Sequence, residues 1–237
     1  MTWSLIARDP STGAFGIAVA TRFFAVGALC PHIDGGVGAI ATQALINPLL
    51  GTRGLRMLRD QIPAPAVLAA LVASDPGQSV RQVHLQDAGG RIAAHTGRDC
   101  IDWCGHLIRD TFSVAGNMLA GPQVLEATAH AFEARADLPF ARRLIAALAA
   151  GEAAGGDKRG RQSAALRIHG SEEYPQLDLR VDDHADPVAE LARLEAVSRE
   201  RFVHFAQFFA TRQSPGGVWD RAIIEQAIER ATREPRE

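Results

Sequence analysis

The 237 residues contain only three cysteines, Cys30, Cys100 and Cys104. That number is too small and too odd for a disulfide framework. No apolar run approaches the roughly 18 residues of a membrane span, and the N-terminus has no basic segment leading into an apolar one. The expectation is therefore a chain of the reducing cytoplasm, with no membrane partner. Aromatic residues are 6% and the net charge is −2. These values weaken the case for base-stacking platforms and give no general electrostatic drive toward nucleic acid or anionic membrane. Cys100, Cys104 and His106 have the wrong spacing for a zinc knuckle and lack a second ligand pair, so they read as buried thiols. The Gly155–Arg161 loop has neither the spacing nor the Gly-Lys-Ser/Thr ending of a nucleotide-binding loop. What remains is ordinary globular composition, 47% hydrophobic and 22% charged, in a chain sized for one domain. The expected organisation is a single domain over 1–237, with 186–237 as a C-terminal helical extension.

The stretch that organises the chain is Thr2–Thr21. Thr2–Ala7 and Phe15–Thr21 are apolar runs of strand composition, separated by the turn cluster Asp9-Pro10-Ser11-Thr12-Gly13. Pro presets φ and Gly permits φ > 0, so the stretch reads as a β-hairpin. Met1 precedes a small residue, which makes its excision chemically reasonable. Thr2 would then carry a free α-amine beside its hydroxyl, one known way to activate a weak nucleophile. The bland reading is a Thr that only starts a strand.

Arg22–Ala28 follows as an exposed loop with Phe23 and Phe24, suited to a lid or a dimer contact. Gly35–Gln43 is Gly-rich and then β-like, allowing close backbone approach. Leu49–Ile62 is an amphipathic helix and Pro65–Ser74 a second short one. Val80–Asp87 alternates apolar Val83 and Leu85 with Gln82, His84 and Gln86, and Arg91–His95 returns as the other half of a hairpin. A strand is expected around Trp103–Ile108 and another over Thr111–Asn117. Helices follow at Gln123–Ala134 and Pro139–Ala150, strands at Gln162–Ile168 and Leu177–Val181, a long helix over about Val188–Ala210, and a last one at Ala222–Ala231. Arg230–Glu237 reads as a fraying end. Strands in hairpins and helices in pairs give an α+β layered architecture rather than a βαβ repeat. Apolar residues from Leu191 to Phe208 form either a face that seeks a partner or one packed on the chain's own sheet; Phe23 and Phe24 also suggest a partner, and a homo-oligomer, a dimer first, is expected.

Three constellations carry possible chemistry. Thr2, Asn117 and Asp157 suffice for acyl transfer: a nucleophile with its own amine as base, an amide donor for an oxyanion, and a carboxylate to orient the amine. Asn117 also reads as a turn residue after Gly116, and Asp157 as a surface carboxylate beside Lys158 and Arg159. Arg159 and Arg161 suit a substrate carboxylate by bidentate geometry. Asp182–Asp186 with His184 reads as a helix cap, Asp186 standing before Pro187; a divalent-ion site is the competing reading. Cys30 lies two residues from His32, a possible thiol–imidazole pair.

Three segments together carry a family resemblance: the Thr2-headed hairpin, Phe112-Ser113-Val114-Ala115-Gly116-Asn117-Met118-Leu119-Ala120-Gly121, and Gly156-Asp157-Lys158-Arg159-Gly160-Arg161-Gln162-Ser163 running into a strand. Over roughly the first two hundred residues the chain resembles the bacterial family catalogued as domain of unknown function 1028, grouped with the N-terminal-nucleophile hydrolases. The segment order is also similar to proteasome β-subunits. The resemblance implies a four-layer αββα sandwich, with Thr2 as nucleophile, its amine as base, and Asn117 and Asp157 in support. It also implies substrate contacts at Thr21, Arg22, Gln43, Arg159, Arg161 and Ser163. Thr21 lies where the proteasome fold places an Asp, and no Lys occupies the central strand. The function implied is cleavage of a small amide, ureido compound or short peptide, without metal or organic cofactor. The rival is a fold that binds a small molecule, or assembles, without turnover.

Overall fold

The computed structural model describes residues 2–233. Met1 and residues 234–237, which include the last part of the stretch read as fraying, lie outside it. The described chain is α+β, with ten strands, two antiparallel sheets and seven helices among its residues. It divides into two compact units, 1–191 and 192–237.

The first sheet has six strands in the order β10-β9-β2-β1-β8-β7. They are β1 Thr2–Arg8, β2 Phe15–Thr21, β7 Trp103–Ile108, β8 Phe112–Leu119, β9 Ser163–His169 and β10 Leu177–Val181. The second has four, β3-β4-β5-β6: Pro31–Asp34, Gly38–Ala44, Arg81–Asp87 and Ile92–Thr96. The opening hairpin forms as its turn chemistry dictates. Trp3 pairs with Ala20 and Arg8 with Phe15, and Asp9 holds the turn by accepting from Ser11 and Thr12. β1 is central because β8 pairs on its other edge, Thr2 facing Asn117. A strand heading the chain is thus tied on both sides.

Period-2 alternation assigns the faces. Trp3, Leu5, Ala18 and Leu166 share one face of the large sheet, and there α3 (Gln123–Ala134) and α4 (Phe140–Ala153) pack. Phe112 of β8 meets Phe132 of α3 with ring centroids 4.8 Å apart. Gly16 of β2 has no room for a side chain: a Cβ there would stand 2.5 Å from Leu144 of α4. On the other face Ile6, Phe15, Ile17 and Val19 join Val26, Cys30, Ile33, Ala39 and Ala41 in one buried cluster. α1 (Pro48–Arg59) and α2 (Ala64–Ser74) close a second cluster with Ile40, Val83 and Leu85 of the small sheet. Asp87 anchors the start of α2. Burial alone would raise its pKa, but hydrogen bonds from the Ala64 amide and from Arg91 hold it below the ordinary carboxylate value.

One strand is unforeseen and one expectation fails. β3 lies in a stretch with no strand signal, because four residues led by a proline show no period. The single helix expected over about Val188–Ala210 is broken into α5 (Pro187–Ser198) and α6 (Phe202–Ala206). Near Ser198 the backbone tightens to i→i−3 bonds at Arg199 and Glu200, and the Ser198 hydroxyl donates to the Glu195 carbonyl, competing with the helical bond. Arg201 is then held by Glu225 of α7 (Arg221–Arg233), within the second unit. The cap at Asp186 forms, its Oδ1 accepting from the Ala189 amide at 3.1 Å. No helix among the described residues is long and apolar enough to cross a membrane.

Candidate functional site

The strand pairings send the N-terminal ends of β1, β3, β5, β7 and β9, and the C-terminal ends of β2, β4, β6, β8 and β10, to one end of the sheets. Thr2 is at that end, 8% exposed. Its hydroxyl donates to the Thr21 hydroxyl at 3.2 Å. Its carbonyl faces two buried side-chain amides, with Asn117 Nδ2 at 3.4 Å and Gln43 Nε2 at 3.5 Å. Three elements far apart in sequence therefore meet on one residue.

Behind Thr2 runs a buried polar network. Gln82 Oε1 accepts from Gln43 Nε2 at 2.8 Å and from Asn117 Nδ2 at 3.0 Å. Gln82 Nε2 lies 2.8 Å from the Gly116 carbonyl. Ser4 donates to Gln43 Oε1 at 2.7 Å and also lies 2.7 Å from His84 Nε2, while His84 Nδ1 lies 2.8 Å from the Ser113 hydroxyl. Because the Ser4 proton is committed to Gln43, His84 must donate from Nε2, and Ser113 donates into Nδ1. Full burial drives the pKa of His84 down to about 3, with a smaller push from His106.

A direct consequence is testable. The folded pKa lies below the unfolded value, so the unfolded chain takes up the proton first. This group leaves stability untouched above about pH 6.5 and reduces it as the pH falls toward 3. ¹⁵N-detected imidazole spectra are expected to show His84 as the neutral Nε2–H tautomer at pH 5. A protonated ring at that pH overturns the assigned hydrogen-bond direction.

Asp157 forms a second group at the same end. It bridges Leu119 in the backbone, and its side chain has 0% exposure. Oδ2 accepts from the Arg22 amide at 2.7 Å and Oδ1 from the Arg159 amide at 2.8 Å, and the Arg159 guanidinium pairs with the carboxylate at 3.2 Å. The carboxylate thus holds the chain one residue beyond Thr21. Ser163 is a staple: it donates to the Phe23 carbonyl at 2.6 Å and accepts from the Val26 amide at 3.1 Å. Arg22 reaches the Arg161 carbonyl at 2.8 Å. Arg161 pairs with Glu152 and Asp186, so an anionic ligand there would compete with two carboxylates. A cavity of about 120 Å³ is lined by Trp3, Thr21, Glu152, Asp157 and Arg161, among others. Burial raises the Glu152 pKa, with Arg161 opposing it.

Thr2, Asn117, Thr21 and Gln43 are brought together, and Arg22, Asp157 and Arg159 form a neighbouring cluster. Gln82, His84 and Ser113 are not among the expected site residues, and Ser4, a candidate for an alternative nucleophile, is instead committed to Gln43 and His84. The signal for Gln82 and His84 is the polar face Gln82-x-His84-x-Gln86, which alternation identifies as a face without saying what it meets. Cys30 does not pair with His32. Its thiol points at Gln43 Oε1, 3.7 Å away, and burial raises its pKa to about 12, while the His32 ring meets the Leu29 carbonyl. Cys100 and Cys104 are free and only partly buried.

No curated protein matches the chain. The crystal structure of protein SPO2555 from Silicibacter pomeroyi, itself matched to DUF1028, is similar over 92% of this chain and 99% of that one, with 32% identity and a TM-score of 0.85. Anbu (ancestral beta-subunit) from Yersinia bercovieri aligns over 89% of this chain and 99% of its own, at 11% identity and a TM-score of 0.40. The family model described as a family of unknown function, DUF1028, matches residues 2–191. The chain belongs to that family.

Proposed function

We propose that the protein is an N-terminal-nucleophile hydrolase of αββα architecture that cleaves the C–N bond of a small amide, ureido compound or short peptide. One observation carries this reading: the Thr2 hydroxyl heads a central strand, bonded to Thr21, with its own carbonyl held between Asn117 and Gln43. The reading requires excision of Met1. The freed amine takes the Thr2 hydroxyl proton as Oγ1 adds to the substrate carbonyl. The tetrahedral intermediate then collapses, expelling the amine, which receives that proton from the ammonium. Water attacks the resulting ester, releases the acid and returns the hydroxyl. The chain's single lysine, Lys158, is paired with Asp102 at 2.5 Å, which supports the N-terminal amine as the base. Asp157 fixes the chain beside Thr21 by holding the Arg22 amide, and Arg159 pairs with the same carboxylate. No step requires a metal or organic cofactor.

A second reading, a binding module without turnover, is favoured by one feature: the side chain bonded to Thr2 is a neutral hydroxyl where the proteasome-like arrangement has a carboxylate. One experiment separates the two. Intact-mass analysis of the purified protein is expected to show loss of Met1, and a strained β-lactone is expected to leave one acyl adduct, mapped to Thr2. Thr2→Ala is expected to lose the adduct and at least about a thousandfold in amide turnover. Met1 retained on active protein, or full activity in Thr2→Ala, ends the nucleophile reading. Thermal stabilisation by amides without any adduct favours the binding module.

A further inference from the structure

The two ends of the sheets differ in kind. At the end away from Thr2 the connections 9–14, 35–37, 88–91, 109–111 and 170–176 are short and carry no exposed large apolar side chain among the described residues. At the Thr2 end stand Phe23, Phe24, Leu29, Leu45, Leu49 and Ile101, between 45% and 66% exposed. Within residues 2–191 only Ile108, the last residue of β7, is similarly exposed elsewhere. Exposed apolar residues scattered singly need no explanation; six at one end do.

A second, independent observation concerns the backbone. Phe24 precedes Ala25 at φ 54°, Leu45 follows Ala44 at φ 69°, and Ile101 precedes Asp102 at φ 56°. Left-handed backbone at a residue with a Cβ costs about 1–2 kcal/mol, and such residues cluster where function demands them. Each of the three turns is also locked. Ala25 donates to the Asp182 carbonyl and Val26 to Ser163 Oγ. Leu45 donates to the Val80 carbonyl, and its own carbonyl accepts from Arg81. Asp102 pairs with Lys158. The apolar side chains are therefore carried outward on fixed turns. All three turns lead back to the site: Phe23 is two residues past Thr21, Leu45 is two past Gln43, and Lys158 adjoins Asp157.

We infer that the substrate carries an apolar acyl group, a medium-length alkyl or aryl chain, which seats on the rim of Phe24, Leu45 and Ile101 while its carbonyl faces Thr2. This inference deepens the proposed hydrolase reading and rests on it. The charges nearby agree: Lys158, Arg159 and Arg161 are each matched by a carboxylate of the chain itself, and the Arg22 guanidinium donates to the Arg161 carbonyl, which disfavours an anionic acyl group. Three separate turns around one strand end also suit a ligand end better than a flat contact between copies.

The test uses matched anilides, N-hexanoyl and N-succinyl. On Thr2→Ala, which cannot acylate, calorimetry is expected to show the hexanoyl compound binding at least tenfold tighter. A Phe24→Ser/Leu45→Ser double variant, altered only at exposed positions and checked for an unchanged melting temperature, is expected to lose that preference. The wild-type protein is expected to acylate at Thr2 with the same order of preference. Equal binding, succinyl preference, or no binding of the hexanoyl anilide overturns the rim. So does a double variant that loses only self-association, which makes this end a contact between copies. Selective binding on Thr2→Ala without acylation of the wild type sustains the rim and removes the nucleophile.

Discussion

Gln82→Leu is expected to destabilise the protein by about 4 kcal/mol, although it places an apolar side chain of similar size at a position with 0% exposure. Area bookkeeping alone gives the opposite sign, since leucine gains from burial and glutamine does not. The deciding term is what the substitution leaves behind. Gln43 and Asn117 lose the acceptor they share at 2.8 and 3.0 Å, and the two Nε2–H donors are withdrawn from the three oxygens that surround them at 2.8–2.9 Å, the Gly116 and Gly105 carbonyls and the Thr96 hydroxyl. Each buried polar group left unmade costs about 1–3 kcal/mol, and two or three of these exceed the apolar gain. Guanidinium unfolding with unchanged m-value is the measurement. Gln43 and Asn117 are also the amides on the Thr2 carbonyl, so lactone acylation is expected to slow in the same variant. A change below about 1 kcal/mol would show that water or local rearrangement replaces Gln82, and that the network is adaptable rather than fixed.

The same strand shows where sequence reasoning stops. Alternation of Val83 and Leu85 with Gln82, His84 and Gln86 placed β5 correctly, because period 2 is a backbone property. It could not say that the polar face is as dry as the apolar one, with His84 at 0% and Gln86 at 1% exposure. That depends on β8, whose Ser113 and Gly116 carbonyl lie about thirty residues on. Strands and turns with strong local chemistry, such as Phe15–Thr21 and the helix start at Gln123, were legible for the same local reason. β3 and the break after Ser198 were not, since the first lacks length and the second turns on one hydroxyl competing for a helical carbonyl. At the site, Thr2 and Asn117 could be paired through the hairpin and the family pattern. The role of Asp157 could not be read, because the amide it holds, that of Arg22, is 135 residues away. Nor could the loop arginines: their residue type suggested anion binding, and only the fold reveals the carboxylates that already match them.

Asp157 is where these long-range terms converge, and its removal is expected to slow the chemistry without touching the reacting atoms. Its carboxylate ties the end of β2, through Arg22, to the turn that leads into β9, and its backbone bridges the end of β8 at Leu119. Asp157→Ala removes the acceptor of two backbone amides and of the Arg159 guanidinium. The Arg159 side chain is 37% exposed, so water recovers part of that loss, and about 3 kcal/mol is the expected cost rather than the upper end for a broken buried pair. Asp157→Asn keeps one acceptor oxygen, and about half that cost is expected. Thr21 stands one residue from Arg22 and holds the Thr2 hydroxyl at 3.2 Å, so slackening of the Arg22 amide displaces the proposed nucleophile. A misplacement of about 1 Å is worth roughly a hundredfold in rate. Lactone acylation of Thr2 in folded Asp157→Ala, measured well below its melting temperature, is therefore expected to fall about a hundredfold, with the Asn variant between it and wild type. A destabilised Ala variant that acylates at the wild-type rate would make Asp157 a staple of the fold alone. A parallel fall in stability and rate across Asp, Asn and Ala makes it the residue that positions Thr2 through Thr21.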